Sequence, residues 1–309
     1  MRPAISEQRE SADAQWPPIS RFISAERRLA DSVVSHGCVT AAIYEFLRFG
    51  VKQGWASLFG GLLLALIIGT RLFWPVHAPL ARYDALFLAA LALQAILITT
   101  KMETWDEVKV IFIFHIIGTM MEVHKTAIGS WVYPEVSYFR IGGVPLFTGF
   151  MYAAVGSYLA RVWRLFDFRF TRHPNQVALS VLAVTIYINF LIDHTGYDLR
   201  YVLIAITMAL FAPAMIHFQV WRCHRRMPLL LGLFLVALFI WFAENIGTFT
   251  GTWLYPNQKL HWSPVPLAKL SSWFLLMIVS YTLIARVNRI GRLRAPPIAS
   301  LASARLTIP

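Results

Sequence analysis

The sequence predicts an all-α polytopic membrane protein whose helices cross the bilayer about eight times. Hydrophobic residues make up 57% of the 309 residues and charged residues 14%, with a mean hydropathy of +0.57, whereas about 25% of residues are charged in typical soluble proteins. Eight apolar runs approach the roughly 17 to 25 residues that a helix needs to cross a bilayer. One motif also occurs twice, which predicts two parallel repeats of four helices each.

Composition divides the chain into five segments. Residues 1–19 are polar and contain a Pro-Pro break, which is typical of a disordered tail. Residues 20–52 interleave apolar and basic residues, which predicts one or two amphipathic helices on the membrane surface or, alternatively, a helix that binds a partner. The rest is predicted to form membrane repeat 1 (53–173), membrane repeat 2 (174–289) and a basic C-terminal tail (290–309).

Each repeat is predicted to contain four spans. We place them at 55–73, 84–100, 108–124, 144–164, 176–193, 200–218, 228–246 and 265–285. Glycines in the fourth span predict close packing against a neighbouring helix. The connection at 101–107 carries three acidic residues and is predicted to be a solvated turn.

The repeated motif runs from Glu122 to Pro134 and again from Glu244 to Pro256, an offset of 122 residues. Six positions coincide without a gap: a glutamate, a glycine, a serine or threonine, a tryptophan, a tyrosine and a proline. Such agreement predicts an internal duplication. The alternative is that membrane helices reuse glycine and aromatic residues at the interface for common physical reasons.

The net charge of +12 is distributed unevenly along the chain. If the N-terminus is inside, the predicted cytoplasmic segments carry 21 of the 28 Lys and Arg residues and the outer segments carry 7. Because cytoplasmic loops are enriched in Lys and Arg, both termini are predicted to be cytoplasmic. The basic excess indicates contact with anionic membrane lipids, and no nucleic-acid partner is predicted.

Glu122 is the first candidate for a functional residue. His115, Thr119 and Glu122 are spaced i, i+4 and i+7, so they share one face of the third predicted helix. An ionisable residue inside a membrane span is costly and indicates function. The alternatives are that Glu122 lies at the interface beside Lys125 or His124, and that His115 bonds a neighbouring helix.

Further candidates lie at the same predicted membrane face. The seventh span repeats the third and carries Glu244 and Asn245. The fifth span carries Asn189 and Asp193 one turn apart, followed by His194. A helix end stabilised by neighbouring charges explains this second group equally well.

Aromatic loops follow both glutamates. The first loop contains Trp131 and Tyr133, and the second contains Trp253 and Tyr255. Trp and Tyr are common at headgroup depth in any membrane protein, but their repetition predicts shaped loops that hold a substrate. Lys269, one turn into the eighth span, is a candidate countercharge for either glutamate.

The duplication predicts how the two glutamates are arranged. Four crossings return the chain to its starting side, so a twofold axis along the membrane normal would bring Glu122 and Glu244 together. Two carboxylates in a low-dielectric pocket do not both ionise readily, so one keeps a proton. We therefore predict an enzyme in which this pair, with His115, Asp193 and His194 as auxiliaries, performs acid/base chemistry on a hydrophobic substrate. The alternatives are a proton- or cation-coupled carrier and a scaffold.

No cofactor and no metal site are predicted. The sequence contains no recognisable nucleotide, haem or phosphate motif. His217 and His224 near the sixth span lack a visible carboxylate partner for a metal. Cys38 and Cys223 fit neither a disulfide framework nor a cysteine metal site.

Three segments carry a resemblance to a known family. His115–Glu135, Gly143–Tyr158 and Asn189–His194 resemble the bacterial integral-membrane family catalogued as domain of unknown function 817, the YoaT-like proteins. The resemblance covers about residues 46–289 and implies a multi-pass protein of the bacterial inner membrane, without implying an activity. A weaker likeness, limited to the glutamate, glycine and aromatic-x-Tyr pattern, is to membrane carotenoid-biosynthesis hydratases, which implies a lipid or isoprenoid substrate.

Overall fold

A computed structural model describes residues 37–75, 77–192, 196, 198–222 and 224–287. The chain divides into two compact units, residues 1–52 and 53–309. In the first unit the described residues lie almost entirely in helix α1, Cys38–Ala56, which begins inside the segment predicted to be amphipathic. The predicted tails at 1–19 and 290–309 lie outside the described residues, so they stay predictions.

Nine α-helices account for most of the described residues. They are α1 (Cys38–Ala56), α2 (Leu58–Phe73), α3 (Arg82–Thr99), α4 (Trp105–Ala127), α5 (Thr148–Leu165), α6 (Gln176–Ile192), α7 (Arg200–Phe211), α8 (Leu229–Phe249) and α9 (Ala268–Val287). The all-α prediction therefore describes most of the architecture. Two small antiparallel sheets join the helices: β1 (Arg140–Ile141) with β2 (Val144–Pro145), and β3 (Arg169–Thr171) with β4 (Met215–Gln219) and β5 (His224–Pro228).

Fewer helices than predicted have the length and composition of a membrane span. In the described part of the chain four helices do, namely α3, α4, α8 and α9, and a fifth span results if the bent pair α1 and α2 is counted as one. These helices fit a membrane protein, but the prediction of eight spans is wrong by this criterion. The apolar helices α6 and α7 have 17 and 12 residues, which is shorter than the roughly 20 residues a crossing needs.

The largest error concerns the sixth predicted span, 200–218. Helix α7 ends at Phe211, and Pro213 follows, where the missing backbone N–H and the fixed ring oppose helix continuation. The chain then forms the β4–β5 hairpin, in which His217 pairs with Arg226 and also with Arg169 of β3. His217 and His224 therefore lie on a sheet and not at a helix end. An apolar run containing β-branched and aromatic residues is compatible with either structure, which explains the error.

Helices α4 and α5 approach closely through glycines, as the fourth predicted span indicated. A Cβ atom at Gly118 would overlap the Tyr152 ring, and one at Gly149 would meet His115 and Thr119. Small residues at such contacts allow two helix backbones to approach. The α4–α5 pair therefore brings Tyr152 beside the last turns of α4, where Glu122 lies.

Two of the three acidic residues in the connection at 101–107, Glu103 and Glu107, are buried, so the prediction of a solvated turn is wrong for them, whereas Asp106 is exposed. Glu103 forms an ion pair with Arg161 at 3.0 Å, and neither side chain is exposed to solvent. Ser157 Oγ donates to Glu103 at 2.7 Å, and Gln94 Nε2 also donates to this carboxylate. Glu107 caps the start of α4 by accepting from the Thr104 backbone N–H at 2.7 Å. These hydrogen bonds compensate the cost of burying the acidic groups.

Candidate functional site

Glu122 and Glu244 occupy corresponding positions on α4 and α8. Each lies five residues before the last residue of its helix, and their relative exposures are 3% and 4%. We call this end of the bundle the glutamate end. A buried carboxylate requires hydrogen-bond donors to compensate its loss of water. The structure supplies such donors to both glutamates.

Three neutral side chains donate to Glu122. Trp131 Nε1 and Tyr133 OH both donate to Oε2 at 2.7 Å. Tyr152 OH donates to Oε1 at 2.6 Å. The first two donors come from the loop after α4, and the third comes from α5. The carboxylate therefore joins the aromatic loop to the neighbouring helix.

Glu244 is held in a closely similar way. Tyr255 OH donates to Oε1, and Trp273 Nε1 donates to Oε2 at 2.7 Å. Tyr255 corresponds to Tyr133 at the motif offset of 122, and Trp273 corresponds to Tyr152 at an offset of 121. Each glutamate thus accepts from the tyrosine of its loop and from one aromatic side chain of the following long helix, and Glu122 also accepts from Trp131 of its loop.

The two helix ends that lead into the loops are alike. The Gly129 N–H donates to Thr126 and the Ser130 N–H to Lys125. At the second copy, Gly251 donates to Thr248 and Thr252 to Gly247. These bond pairs define a Schellman cap. Gly129 and Gly251 have φ angles of 75° and 66°, in the left-handed region that glycine adopts without strain. The shared glycine of the motif is therefore explained by the turn it makes.

The two aromatic loops meet at the glutamate end. Val132 and Leu254, which correspond at the same offset, exchange two backbone hydrogen bonds of 2.9 Å as an antiparallel bridge. Beside the bridge, the Trp131 and Tyr255 rings pack edge to face with centroids 6.1 Å apart. The hydrogen-bond networks of Glu122 and Glu244 are therefore in contact through their own donors.

Lys269 lies where the two loops meet. Its ammonium group is 4.6 Å from the centre of the Tyr255 ring and 5.8 Å from that of Trp131. A cation over an aromatic face is attracted by the ring quadrupole. This places one positive charge between the donor of Glu244 and a donor of Glu122, consistent with the predicted position of a countercharge.

The loop tyrosines are neutral donors. Burial, and next the charge of Glu122, raise the pKa of Tyr133 well above its ordinary value. Burial, and next the charge of Glu244, raise the pKa of Tyr255 in the same direction. Both phenols therefore keep their protons at neutral pH and remain able to donate to the carboxylates.

The remaining predicted site residues lie outside the hydrogen-bond networks of Glu122 and Glu244 or outside the described residues. His115 lies seven residues before Glu122, about 10 Å along the helix, with its ring centroid 4.8 Å from that of Phe150. Asn189 accepts from the Leu199 N–H at 2.8 Å and holds the α6–α7 connection. Asn245 accepts from the Val265 N–H at 2.9 Å and holds the loop before α9. Asp193 and His194 lie outside the described residues.

Trp253 and the two alternative partners of Glu122, Lys125 and His124, have other contacts in the structure. The Trp253 ring packs against Gly247, where a Cβ atom would overlap it. The alternative partners suggested for Glu122 contact α6: Lys125 lies 4.4 Å from the Phe190 ring centre, and His124 Nε2 is 2.9 Å from the Leu191 carbonyl oxygen.

Tyr152 and Trp273 are contacts of the glutamates that the sequence analysis missed. A signal for them was present, because Val144 and Val265 correspond at the same offset of 121 residues. Extending that register along the two helices pairs Tyr152 with Trp273. Both carry a ring with a hydrogen-bond donor, which is unusual for a residue facing lipid.

A narrow cavity of about 50 Å³ adjoins both networks. Its walls come from α4, α5, α6, α8 and α9, and every lining residue is uncharged. Tyr152 and Trp273, the helix donors to the two glutamates, are both part of the wall. The cavity is therefore a small apolar space whose wall includes one hydrogen-bond donor to each buried carboxylate. Among the described residues, no group of three or more His, Cys, Asp or Glu side chains is arranged to hold a metal ion.

Comparisons with known proteins locate this architecture within a family. Residues 45–281 match the model of the family described as Protein of unknown function (DUF817). The protein of Bacillus subtilis (strain 168) described as uncharacterized protein YoaT is 40% identical over 249 residues, which are 81% of this chain and 94% of that relative. The solved structure of a cross-linked MvINS trimer is similar over 62% of this chain and 98% of its own, with a TM-score of 0.41 and 13% identity.

Proposed function

The chain belongs to the DUF817 family, and we propose that it is a membrane-embedded enzyme that performs acid/base chemistry on a hydrophobic substrate. In this proposal Glu122 and Glu244 exchange protons with a lipid or isoprenoid molecule. The Tyr152 hydroxyl, which can donate and accept, would relay a proton between the substrate and Glu122, whereas the Trp273 indole, which only donates, would orient Glu244 for direct contact with the substrate. The aromatic loops close the glutamate end.

One observation carries the proposal: the apolar cavity shares its wall with Tyr152 and Trp273. The part of a substrate that enters the cavity would lie against Tyr152, whose phenol oxygen is 2.6 Å from Glu122 Oε1. Such a distance is within the range required for general acid/base catalysis.

The surroundings of the two carboxylates support different roles. The donors from Trp131, Tyr133 and Tyr152 to Glu122 are neutral, whereas Lys269 lies near the donor of Glu244. A nearby cation favours the ionised form of a carboxyl group. We therefore assign Glu122 as the acid, which delivers a proton through Tyr152, and Glu244 as the base, which accepts one. Together they support addition of water, its elimination or hydrolysis. Each turnover leaves Glu122 deprotonated and Glu244 protonated, so a proton must return from Glu244 to Glu122 to complete the cycle.

The prediction of two parallel repeats of four spans is wrong by the same criterion as the eight spans, because the described residues contain four or five candidate spans. Only the duplicated motif belongs to this proposal: its two copies, on α4 and α8 with the loops that follow, would be related by an axis through the Val132–Leu254 bridge. We further propose that the protein lies in the bacterial inner membrane with both termini in the cytoplasm, because the segments before the first and after the last candidate span are rich in arginine. Its partners would be membrane lipids and the hydrophobic substrate.

Lipid analysis tests the proposed activity. A strain lacking the gene is complemented with the wild type, Glu122→Gln or Glu244→Gln, and total lipid extracts are compared by mass spectrometry. We expect both variants to reproduce the lipid differences of the deletion strain, because neither amide can exchange a proton with substrate. Asp106→Asn is the matched control, since Asp106 lies on α4 with an 85% exposed side chain. Full complementation by both glutamine variants would refute the assignment.

A proton-coupled carrier is the second candidate. It is favoured by the neutral donors around Glu122, which allow the carboxylate to gain or lose a proton without separating from them. Purified protein in liposomes containing a pH-sensitive dye distinguishes the two functions. Dissipation of a proton gradient that Glu122→Gln abolishes would favour the carrier.

A further inference from the structure

We propose that the β3–β4–β5 sheet binds the phosphate group of an anionic membrane lipid, phosphatidylglycerol, on the face that is directed away from the helices. Arg169, His217 and Arg226, one residue from each strand, would surround the phosphate. This inference goes beyond the proposed function and does not depend on it, because the sheet and the two glutamates lie at opposite ends of the bundle.

The positions of α5 and α8 place the sheet opposite the glutamate end. Helix α5 carries Tyr152, which bonds Glu122, near its start, and it ends at Leu165, four residues before β3. Helix α8 begins at Leu229, directly after β5, and reaches Glu244 fifteen residues or about 22 Å later. In the proposed orientation this end faces the cytoplasm, where anionic lipids give the leaflet a negative surface potential.

Strand pairing places two arginines and a histidine in one row across the sheet. His217 in the central strand pairs with Arg169 of β3 and with Arg226 of β5. Paired residues of neighbouring strands project from the same face of a sheet, and the backbones of the two outer strands lie about 10 Å apart. Two long arginine side chains at this separation can both reach a phosphate above the residue between them, and arginine binds phosphate through short, charge-assisted hydrogen bonds.

The two faces of the sheet differ in chemistry. The next row, formed by Ile216 and its paired residues in β3 and β5, projects from the other face and packs against the hydrophobic core of the helices. In the first row Arg226 is exposed, and Arg169 and His217 are half-buried. The row therefore lies on the face that a ligand can reach.

The row carries more positive charge than its neighbours in the protein neutralise. Asp167 forms ion pairs with both Arg169, at 2.9 Å, and His224, at 3.3 Å, so one carboxylate is shared by two partners. Arg169 Nε is buried without a hydrogen-bond partner among the described residues. Within the same part of the chain, the Arg226 guanidinium forms no hydrogen bond or ion pair. Since like charges on adjacent strands repel, a bound phosphate would stabilise this row.

His217 can contribute a neutral donor between the two arginines. Burial, and next the charges of Arg226 and His224, lower the pKa of His217, so its ring is neutral at neutral pH. Thr171 Oγ1 lies 3.3 Å from His217 Nε2. With the threonine hydroxyl donating to Nε2, the ring proton lies on Nδ1, which can donate to a phosphate oxygen.

The turn of the β4–β5 hairpin is typical of a membrane surface. It contains Trp221, and the Arg222 guanidinium lies 4.6 Å from the centre of the Trp221 ring. Tryptophan is enriched at the depth of the lipid headgroups, and arginine can extend from that depth to the phosphates. This feature is independent of the strand pairing, and it favours a lipid over a soluble anion.

Thermal unfolding in detergent tests this inference. The purified full-length protein is titrated with phosphatidylglycerol, with phosphatidylcholine of the same acyl chains and with inorganic phosphate. A ligand that binds the folded state raises the unfolding midpoint with its concentration. We expect saturable stabilisation by phosphatidylglycerol alone, because phosphatidylcholine has a cationic group that offsets its phosphate and inorganic phosphate lacks the acyl chains.

Matched variants locate the binding. Arg226→Gln should raise the apparent Kd for phosphatidylglycerol about fivefold, the effect expected for one basic residue near an anionic membrane surface. Arg71→Gln is the control, because it removes an exposed arginine from the last turn of α2 and should leave the Kd unchanged. Equal stabilisation by phosphatidylcholine or by inorganic phosphate, or a Kd that Arg226→Gln does not change, would overturn the inference.

The salt dependence of the wild type provides a second measurement if Arg226→Gln does not yield folded protein. Raising the salt concentration from about 0.1 M to about 1 M shortens the screening length from about 10 Å to about 3 Å. Binding of phosphatidylglycerol should weaken accordingly. An apparent Kd that is the same at both salt concentrations would show that the arginines do not hold the headgroup, and the inference would be wrong.

Discussion

The oxygen atoms of Glu122 and Glu244 are the most strongly constrained polar groups at the glutamate end. Each carboxylate accepts from a tyrosine in its own loop and from an aromatic donor on the next long helix. Hydrogen bonds to charged groups are worth more than neutral ones, and removing one partner leaves a buried acceptor unpaired. These contacts should therefore contribute to stability as well as to chemistry.

Tyr152→Phe tests this contribution. The substitution removes the hydroxyl that bonds Glu122 Oε1 and should cost about 1–3 kcal/mol of stability. The measurement is thermal unfolding in detergent, followed by intrinsic fluorescence. Tyr138→Phe is the control, because Tyr138 is 85% exposed and its loss of a hydroxyl should change little. Equal midpoints for the two variants would contradict the expected role of the hydrogen bond.

Sequence reasoning found the two glutamates but not all their partners. Glu122 was identified because a carboxylate in an apolar helix is costly, and that argument needs no tertiary structure. Tyr152 and Trp273 lie on other helices, so their contacts depend on how those helices pack. Asn189 and Asn245 were grouped with the site because they share its membrane face, but each accepts a backbone N–H that joins two segments.

The Schellman caps of α4 and α8 show how local structure prepares the site. The left-handed glycine reverses the chain after each helix, so that the tyrosine of each loop returns to the glutamate, while Trp131 bonds Glu122 and Trp253 packs against Gly247. The motif spacing of nine residues between glutamate and tryptophan is therefore set by the helix end and one turn. The helix end and the glycine turn depend only on residues close together in sequence. Their residues therefore recur at fixed spacing, which made the motif recognisable in the sequence.

Gly129→Ala and Gly251→Ala test the role of the caps. Nothing lies within 4 Å of a Cβ atom at either position, so the penalty comes from the positive φ angle. Each substitution should lower stability by about 1–2 kcal/mol, the cost of the left-handed conformation for an L-residue.

Gly69→Ala provides the matched control for both cap variants. Gly69 lies within α2, and nothing lies within 4 Å of a Cβ atom there either. Alanine in a helix interior should maintain or raise stability. The three variants are compared by thermal unfolding, and cap variants as stable as Gly69→Ala would show that the left-handed turns are not required.

The sequence predicts the mainly α-helical class of the fold, but it overestimates the number of helices that can span a membrane. Strong apolar runs identified α3, α4, α8 and α9, which are long enough to span a membrane. The run at 200–218 was misread because hydropathy does not distinguish a helix end from the strand Met215–Gln219. Glu103 was predicted to be solvated because its partner Arg161 is 58 residues away in sequence, so nothing local indicated that the two would pair.

Substitutions at Glu103 and Arg161 test how this ion pair holds the bundle together. Glu103→Ala leaves the buried guanidinium uncompensated and should cost about 3–5 kcal/mol, whereas the double variant Glu103→Leu with Arg161→Met should recover much of that loss. The fraction of monodisperse protein that survives heating is measured for each. Asp106→Asn is the control, because its ion pair with Lys109 is exposed and contributes little. A single variant as stable as this control would contradict the expectation.

The Val132–Leu254 bridge has a consequence for how the molecule responds to a ligand. Each residue both gives and receives a bond, the reciprocity found when two identical subunits meet across an isologous contact. A slip by one residue in either loop would break both bonds and turn Trp131 and Tyr255 away from each other. Because the bridge joins the two loops, we expect a ligand that displaces one loop to shift the tyrosine donors of both carboxylates.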